Sequence, residues 1–274
     1  MLQKLKKVFK KLLNNKKVPV VTLGIVALLI LTAGLFTPMT QPTTASKKKL
    51  PIYCVDTQGK KQVSISFDAA WGAEDTDTLL DILKKNDVKA TFFLCGYWVD
   101  KYPEEVKKIY NDGHDIGNHS NTHPHGSKLS LEENKENIQG CHDKIKNLLG
   151  IDANLYRPPF GEYNDTVLDA AKACGYYAIQ WDVDSIDWKE LGVQAEIDKV
   201  LNHKHLGNGS IILFHNDAKY TPECLDTIIK GLKEKGFEIV PISQLIHKDR
   251  FWTLRCCVCT RQSFGCVPRS MRCC

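Results

Sequence analysis

Gln62-Val63-Ser64-Ile65-Ser66-Phe67-Asp68 alternates polar and apolar residues with a period of two, and Thr76 to Lys85 beyond it spaces Leu79, Leu80 and Leu83 as one helix face. A half-buried strand running into an amphipathic helix is the unit from which the rest of the chain can be read. Thr91-Phe92-Phe93-Leu94 predicts a second strand, with a helix near Pro103 to Asp112 that Gly113 can end. A third short strand leads into Gly117-Asn118-His119. Ser130 and Glu133 form a capping box for a helix running to Leu149, with Gly150 beyond it. Leu155-Tyr156-Arg157, Tyr177 to Trp181, Ser210 to Phe214 and Phe237 to Val240 supply four more strands. The helices between them are Thr166 to Cys174, Gln194 to about His205, and Glu223 to Lys235. Seven strands alternating with helices predict a parallel α/β sheet, either doubly wound or closed into a barrel.

Composition divides the chain differently. The formal charge of +5 averages three unlike pieces: residues 1–49 carry ten Lys and no acid, residues 248–274 six Lys/Arg and one Asp, and residues 50–247 are left near −10. A body this acidic argues against nucleic acid as a partner, because phosphate binding needs a basic face. Seven lysines within residues 1–17 precede an uncharged run from Val18 to Phe36, which is long enough to span a bilayer as a helix. Basic residues on the near side predict a cytoplasmic segment 1–17, a transmembrane signal-anchor 18–36 and an extracytoplasmic body at the cell membrane. Thr43-Thr44-Ala45 loosely resembles a cleavage site, so a cleaved signal peptide is the rival reading. Residues 37–59 read as a linker, 60–247 as the folded domain, and 248–274 as a disordered or artefactual tail holding six of the 11 Cys. The scattered cysteines, such as Cys95 after Phe93-Leu94, read as small core hydrophobes.

Polar residues gather where these strands end. Asp68 follows the first, His119 and His123 the third, Arg157 ends the fourth, Asp184 and Asp187 follow the fifth, and His215 ends the sixth. In a parallel α/β barrel such ends converge on one face, where active sites sit. His119 and His123 are spaced to share one divalent metal, zinc being well suited to neutral imidazole. A metal there would acidify a water able to attack a carbonyl, with Asp68 as base and His215 as acid. Arg157 could hold Asp68 ionised, and Asp187 could orient His215 and raise its pKa.

Five ordered segments carry a resemblance. They are Ser66-Phe67-Asp68-Ala69-Ala70-Trp71-Gly72, His119-Ser120-Asn121-Thr122-His123, Arg157-Pro158-Pro159-Phe160-Gly161, Asp184-Ser185-Ile186-Asp187-Trp188 and Leu213-Phe214-His215. Together they resemble the polysaccharide deacetylases of the NodB-homology type, carbohydrate esterase family 4, over roughly residues 60–247. The resemblance implies a distorted (β/α) barrel and removal of acetyl groups from an N-acetylated glycan, peptidoglycan above all. It implies Asp68 as base, Arg157 as its partner, His119 and His123 as metal ligands, and the pair Asp187 and His215 as the acid. Trp188, Leu213, Pro159 and Phe160 would contact substrate. The F-D-x-x-W-G form of the first segment is similar to a branch associated with spore formers. At position 69 most of the family carries a third metal ligand, an Asp, where this chain has Ala69. Three outcomes stay open: two His with waters, substitution by Glu74 or Asp75, or a silent glycan-binding protein. An O-acetyl esterase is a further rival. Oligomeric state is not legible.

Overall fold

A computed structural model describes residues 49–246, together with Lys7 and Lys10. The expected membrane span 18–36 and the tail 248–274 lie outside the described residues, and among those described no helix is long and apolar enough to cross a membrane. Eight strands form one sheet: β1 (Gln62–Ala69), β2 (Thr91–Leu94), β3 (Asp115–Asn118), β4 (Leu155–Tyr156), β5 (Tyr177–Ala178), β6 (Val183–Asp184), β7 (Ile211–His215) and β8 (Glu238–Ile239). Among residues 49–246 the α-helices are α1 (Thr76–Lys85), α2 (Gly96–Lys101), α3 (Pro103–Asn111), α4 (Leu131–Leu149), α5 (Asp165–Ala173), α6 (Val193–Leu201), α7 (Thr221–Glu234) and α8 (Ile242–Leu245).

Every ladder is parallel, in the order β5-β4-β3-β2-β1-β7-β6, with β8 also paired to β1. No ladder among the described residues joins β5 to β6, so the sheet curls into a half-barrel rather than closing as the expected barrel would. Phe67 and Phe92, fully buried, stack at 4.8 Å between β1 and β2. The helix signals behave as read: Ser130 Oγ accepts from the Glu133 N–H, Glu133 returns a bond to the Ser130 N–H, and Gly150 takes the left-handed turn.

Three boundaries differ from expectation. The run Tyr177 to Trp181 is not one strand; the pairing breaks at Ile179 and resumes at Val183, which moves the chain from β4 to β7. Residues 51–57, assigned above to the linker, pack on the domain: Ile52 bridges Ile179, Cys54 bridges Ser210, and Val55 is buried. Burying Val55 and, in part, Ile52 explains this, since removing apolar side chains from water is favourable. The helix expected to reach His205 ends at Leu201.

Candidate active site

Register brings the expected residues to one edge. Ala69, Leu94, Asn118 and Tyr156 lie in one row across β1 to β4, and His215 is paired with Asp68 across β1 and β7. Cys95, His119 and Arg157 each stand one residue beyond that row.

Asp68 is buried and meets the fully buried Arg157, whose Nη1 donates to Asp68 Oδ1 at 2.7 Å. Arg157 Nη2 donates to Ser66 Oγ at 2.9 Å and to the Gln180 carbonyl at 3.2 Å, and its guanidinium lies 4.1 Å from the Phe93 ring centre. Burial alone would raise the Asp68 pKa, but the nearby positive charge, Arg157 foremost, outweighs it and holds the carboxylate below its ordinary value. On the opposite side Asp187, also fully buried, accepts from His215 Nδ1 at 2.8 Å and from the His215 backbone N–H at 2.6 Å. Burial would lower the His215 pKa, yet this pairing raises it to about 9. One carboxylate is thus kept ionised and one imidazole kept charged at neutral pH.

The two other histidines are the reverse case. His119 Nδ1 lies 2.7 Å from the Arg157 carbonyl, which can only accept, so Nδ1 carries the proton and Nε2 is left with a free lone pair. That Nε2 lies 3.5 Å from Asp68 Oδ2. Burial lowers the pKa of His119 and pushes that of His123 down to about 4, so both are neutral imidazoles. His123 adopts φ +54° and Ser120 φ +70°, conformations held by the Ser120 hydroxyl accepting from the His123 N–H. Ile186 sits at φ +55° just before Asp187, pinned by its N–H to Asp184 Oδ1 at 2.8 Å. Left-handed backbone at a β-branched residue is strained, and strain persists where surroundings over-determine it. A neutral, deprotonated nitrogen on each histidine suits a divalent metal, so these residues fit the ion that the resemblance implies.

Ala69 is buried and offers a methyl only. Neither Glu74 nor Asp75 takes its place: Glu74 accepts from the Ala73 N–H, Asp75 precedes α1, and among the described residues the one metal-sized group is Cys95, His119 and His123. Of the expected substrate contacts, Phe160 is half exposed and stacks on His125 while meeting His123 edge-on at 4.4 Å. Trp188 is exposed and joined to the centre through its N–H to Asp187 Oδ1. Pro159 and Leu213 are buried; Leu213 contributes a carbonyl to the Ser185 N–H. Sequence reading missed several participants. Trp71 is exposed beside His123 at 5.0 Å, with its backbone held by Trp98 and Asn216. Behind Asp187, Thr221 bonds both that carboxylate and the buried Glu196, which also accepts from Cys224.

A half-barrel with a guanidinium-held carboxylate, two neutral imidazoles and a charged imidazole at the carboxyl ends of its strands defines the NodB-homology class. The chain matches the polysaccharide deacetylase family over residues 55–179 and belongs to that family. It is 36% identical over 198 residues to the peptidoglycan-N-acetylglucosamine deacetylase of Bacillus cereus, covering 70% of each chain. It is 30% identical over 218 residues to the peptidoglycan-N-acetylmuramic acid deacetylase PdaA of Bacillus subtilis, covering 76% of this chain and 82% of that one. Among solved structures it is similar to a CE4 family pseudoenzyme from Bacillus anthracis, at a TM-score of 0.68 and 36% identity over 72% of this chain and 68% of the other. A mutant of that pseudoenzyme, described as having restored enzymatic activity, aligns equally well, at 37% identity over 71% of its length.

Proposed function

We propose that the protein removes N-acetyl groups from a cell-envelope polysaccharide, peptidoglycan or a related N-acetylhexosamine polymer. The observation that carries this reading is the pair of opposed devices facing each other across the β1–β7 register: Asp68 held ionised by Arg157, and His215 held charged by Asp187. Amide hydrolysis needs both, one to take a proton from the attacking water and one to give a proton to the departing amine. Asp68 Oδ1 is occupied by Arg157, so Oδ2 takes the proton. His215 Nδ1 is committed to Asp187, so Nε2 delivers it. His119 and His123 would hold a divalent ion, zinc above others for a site with imidazole donors. Such an ion, when bound, supplies Lewis-acid polarisation of the amide carbonyl and lowers the pKa of a water. The exposed faces of Trp71, Phe160 and Trp188 flank the centre as platforms for sugar rings, with Pro159 and Leu213 as apolar support.

The relatives act on N-acetylglucosamine or N-acetylmuramic acid in peptidoglycan, as their names state, which supports the same polymer here. The basic segment 1–17 and the apolar run 18–36 support a membrane anchor that would hold the domain outside the cell, next to that polymer. Acetate release from peptidoglycan and from O-acetylated sugars, measured side by side on the full chain, tests the reading. Release from the N-acetylated substrate, abolished by a chelator and reduced about 10²–10⁴-fold by Asp68→Asn, is expected. Release that survives both treatments overturns it. Ala69 and the likeness to a pseudoenzyme favour a second reading, a silent glycan-binding protein, which predicts glycan binding with no acetate from any substrate.

A further inference from the structure

We propose that Cys95 is the third protein ligand of a metal held by His119 and His123, its thiolate standing where the family's carboxylate is missing. The inference deepens the metal-dependent reading above and rests on it.

Placement argues first. The ligand atoms of Cys95, His119 and His123 lie within 4.8 Å of one another. Zinc places thiolate and imidazole donors roughly 3.5 Å apart, so the group needs to draw in by about 1 Å, a shift within reach of side-chain torsions. The backbone fixes Cys95 against the position that lost its ligand: its N–H donates to the Ala69 carbonyl at 3.0 Å. The next residue, Gly96, donates to the Ser120 carbonyl at 2.9 Å, and Tyr97 donates to that of Asn121 at 3.1 Å. The histidine loop is therefore tied directly to the residues after Cys95.

Chemistry argues second. A thiolate carries the same single negative charge as a carboxylate, so replacing one by the other leaves the net charge of a site with two neutral imidazoles unchanged. A zinc centre with mixed Cys and His ligands keeps an open coordination position in known enzymes. The exchange alters softness, moving preference towards zinc and cobalt and away from magnesium or manganese. Without metal, the buried thiol donates a weak bond to the His119 carbonyl at 3.3 Å and shares a hydrogen bond with the Tyr97 side chain. On binding, that proton leaves to solvent and the sulfur pairs with the cation instead. Glu74 and Asp75, the carboxylates weighed above as substitutes for the missing Asp, do not join the group.

The test uses the full-length chain with the six tail cysteines (Cys256, Cys257, Cys259, Cys266, Cys273 and Cys274) replaced by serine, so that they give no thiolate signal of their own, stripped with chelator, kept reduced and reloaded with Co²⁺ or Zn²⁺. Cobalt bound by a thiolate shows an intense near-ultraviolet charge-transfer band that imidazole and carboxylate ligands do not give. The band is expected in the parent chain and in Cys141→Ala, whose thiol donates to the Leu94 carbonyl nearby. It is expected to vanish in Cys95→Ser, with zinc bound at least about 100-fold more weakly, since even partners one shell out are worth 10–100-fold. Cys95→Ala combined with Ala69→Asp is expected to regain zinc affinity without regaining the band, which separates lost ligation from lost folding. A parent chain without the band, or a band kept in Cys95→Ser, overturns the proposal. Acetate release is not the readout: an inactive chain with the band would sink only the enzymatic reading, and an active, chelator-sensitive chain without it would sink only this one.

Discussion

Asp187→Asn tests the electrostatic core of the site at its most exposed assumption. In the parent chain His215 rises from an ordinary 6.5 to about 9 because one buried carboxylate accepts a hydrogen bond from its Nδ1–H at 2.8 Å. At about 1.36 kcal/mol per pH unit, the net shift amounts to ~3 kcal/mol in favour of the charged imidazole. Asparagine keeps the shape and removes the charge. Burial then dominates, opposed only by the more distant Asp68 and Asp217, and the imidazole is expected to titrate near or below 6.5. At pH 7.5 the charged fraction falls from nearly all to roughly a tenth, so acetate release drops at least about tenfold from protonation alone. In a pH–rate profile the alkaline limb moves from about 9 to below about 7. Stability carries the same signature. A histidine whose folded pKa is raised binds more protons folded than unfolded between 6.5 and about 9, so the parent chain loses ~3 kcal/mol as pH climbs through that window. The variant lacks that slope, whatever it loses from leaving amide hydrogens against the Trp188 and His215 N–H groups. An alkaline limb that stays near 9 in Asp187→Asn, or an imidazole proton resonance that titrates there, would refute the assignment of Asp187 as the cause.

Arg157→Met leaves Asp68 buried without its counter-charge, and a broken buried pair of this kind is expected to lose about 3–5 kcal/mol in urea denaturation; a loss under about 1 kcal/mol would show the pair to be dispensable. Glu196 is buried against Thr221 and Cys224, and burial raises its pKa. Its folded form therefore keeps a proton that the unfolded chain releases above the ordinary value, and stability declines as pH rises past that value. Glu196→Gln should flatten the decline while changing stability at low pH by less than about 1 kcal/mol; an unchanged slope argues against a neutral Glu196. Gly96→Ala would set a Cβ 2.2 Å from Asn121 Oδ1, so it is expected to cost about 1–3 kcal/mol and to weaken zinc binding by shifting the histidine loop. Unaltered calorimetry and zinc affinity in that variant would mean the loop is not held there.

How much of this was legible in sequence varies by element, for physical reasons. β1 and β7 announce themselves because Val63 to Phe67 and Ile211 to Phe214 are buried on the sheet, and burial leaves a pattern. The break between β5 and β6 is silent, because Ile179 and Trp181 remain apolar while the backbone changes partners. Helix α2 is a single short turn and a half, and Tyr97-Trp98-Val99 has no helical period to detect. At the site, Asp68, Arg157, Asp187 and His215 could be matched to roles because each has a chemical complement. Cys95 could not, since a thiol after Phe93-Leu94 reads as packing and only the fold sets it beside two imidazoles. Trp71 stands in the first motif but shows no role there, being a loop aromatic, and Thr221 is hidden as the first residue of α7.

The pairing of β1 with β7 also has a timetable. Ser66 Oγ donates to the carbonyl of Ile212, which is 146 residues further along the chain. At about 5–20 residues per second, ribosomes need roughly 7–30 s to make that interval. Throughout it, β1 offers one bare edge of Val-Ser-Ile-Ser-Phe, and the carboxylate it carries lacks His215 across that edge. A nascent or truncated chain ending before Ile211 is thus expected to be sticky and to depend on chaperones. Assembly of the Asp68–His215 centre then reports completion of the chain, since nothing shorter can bring the two together.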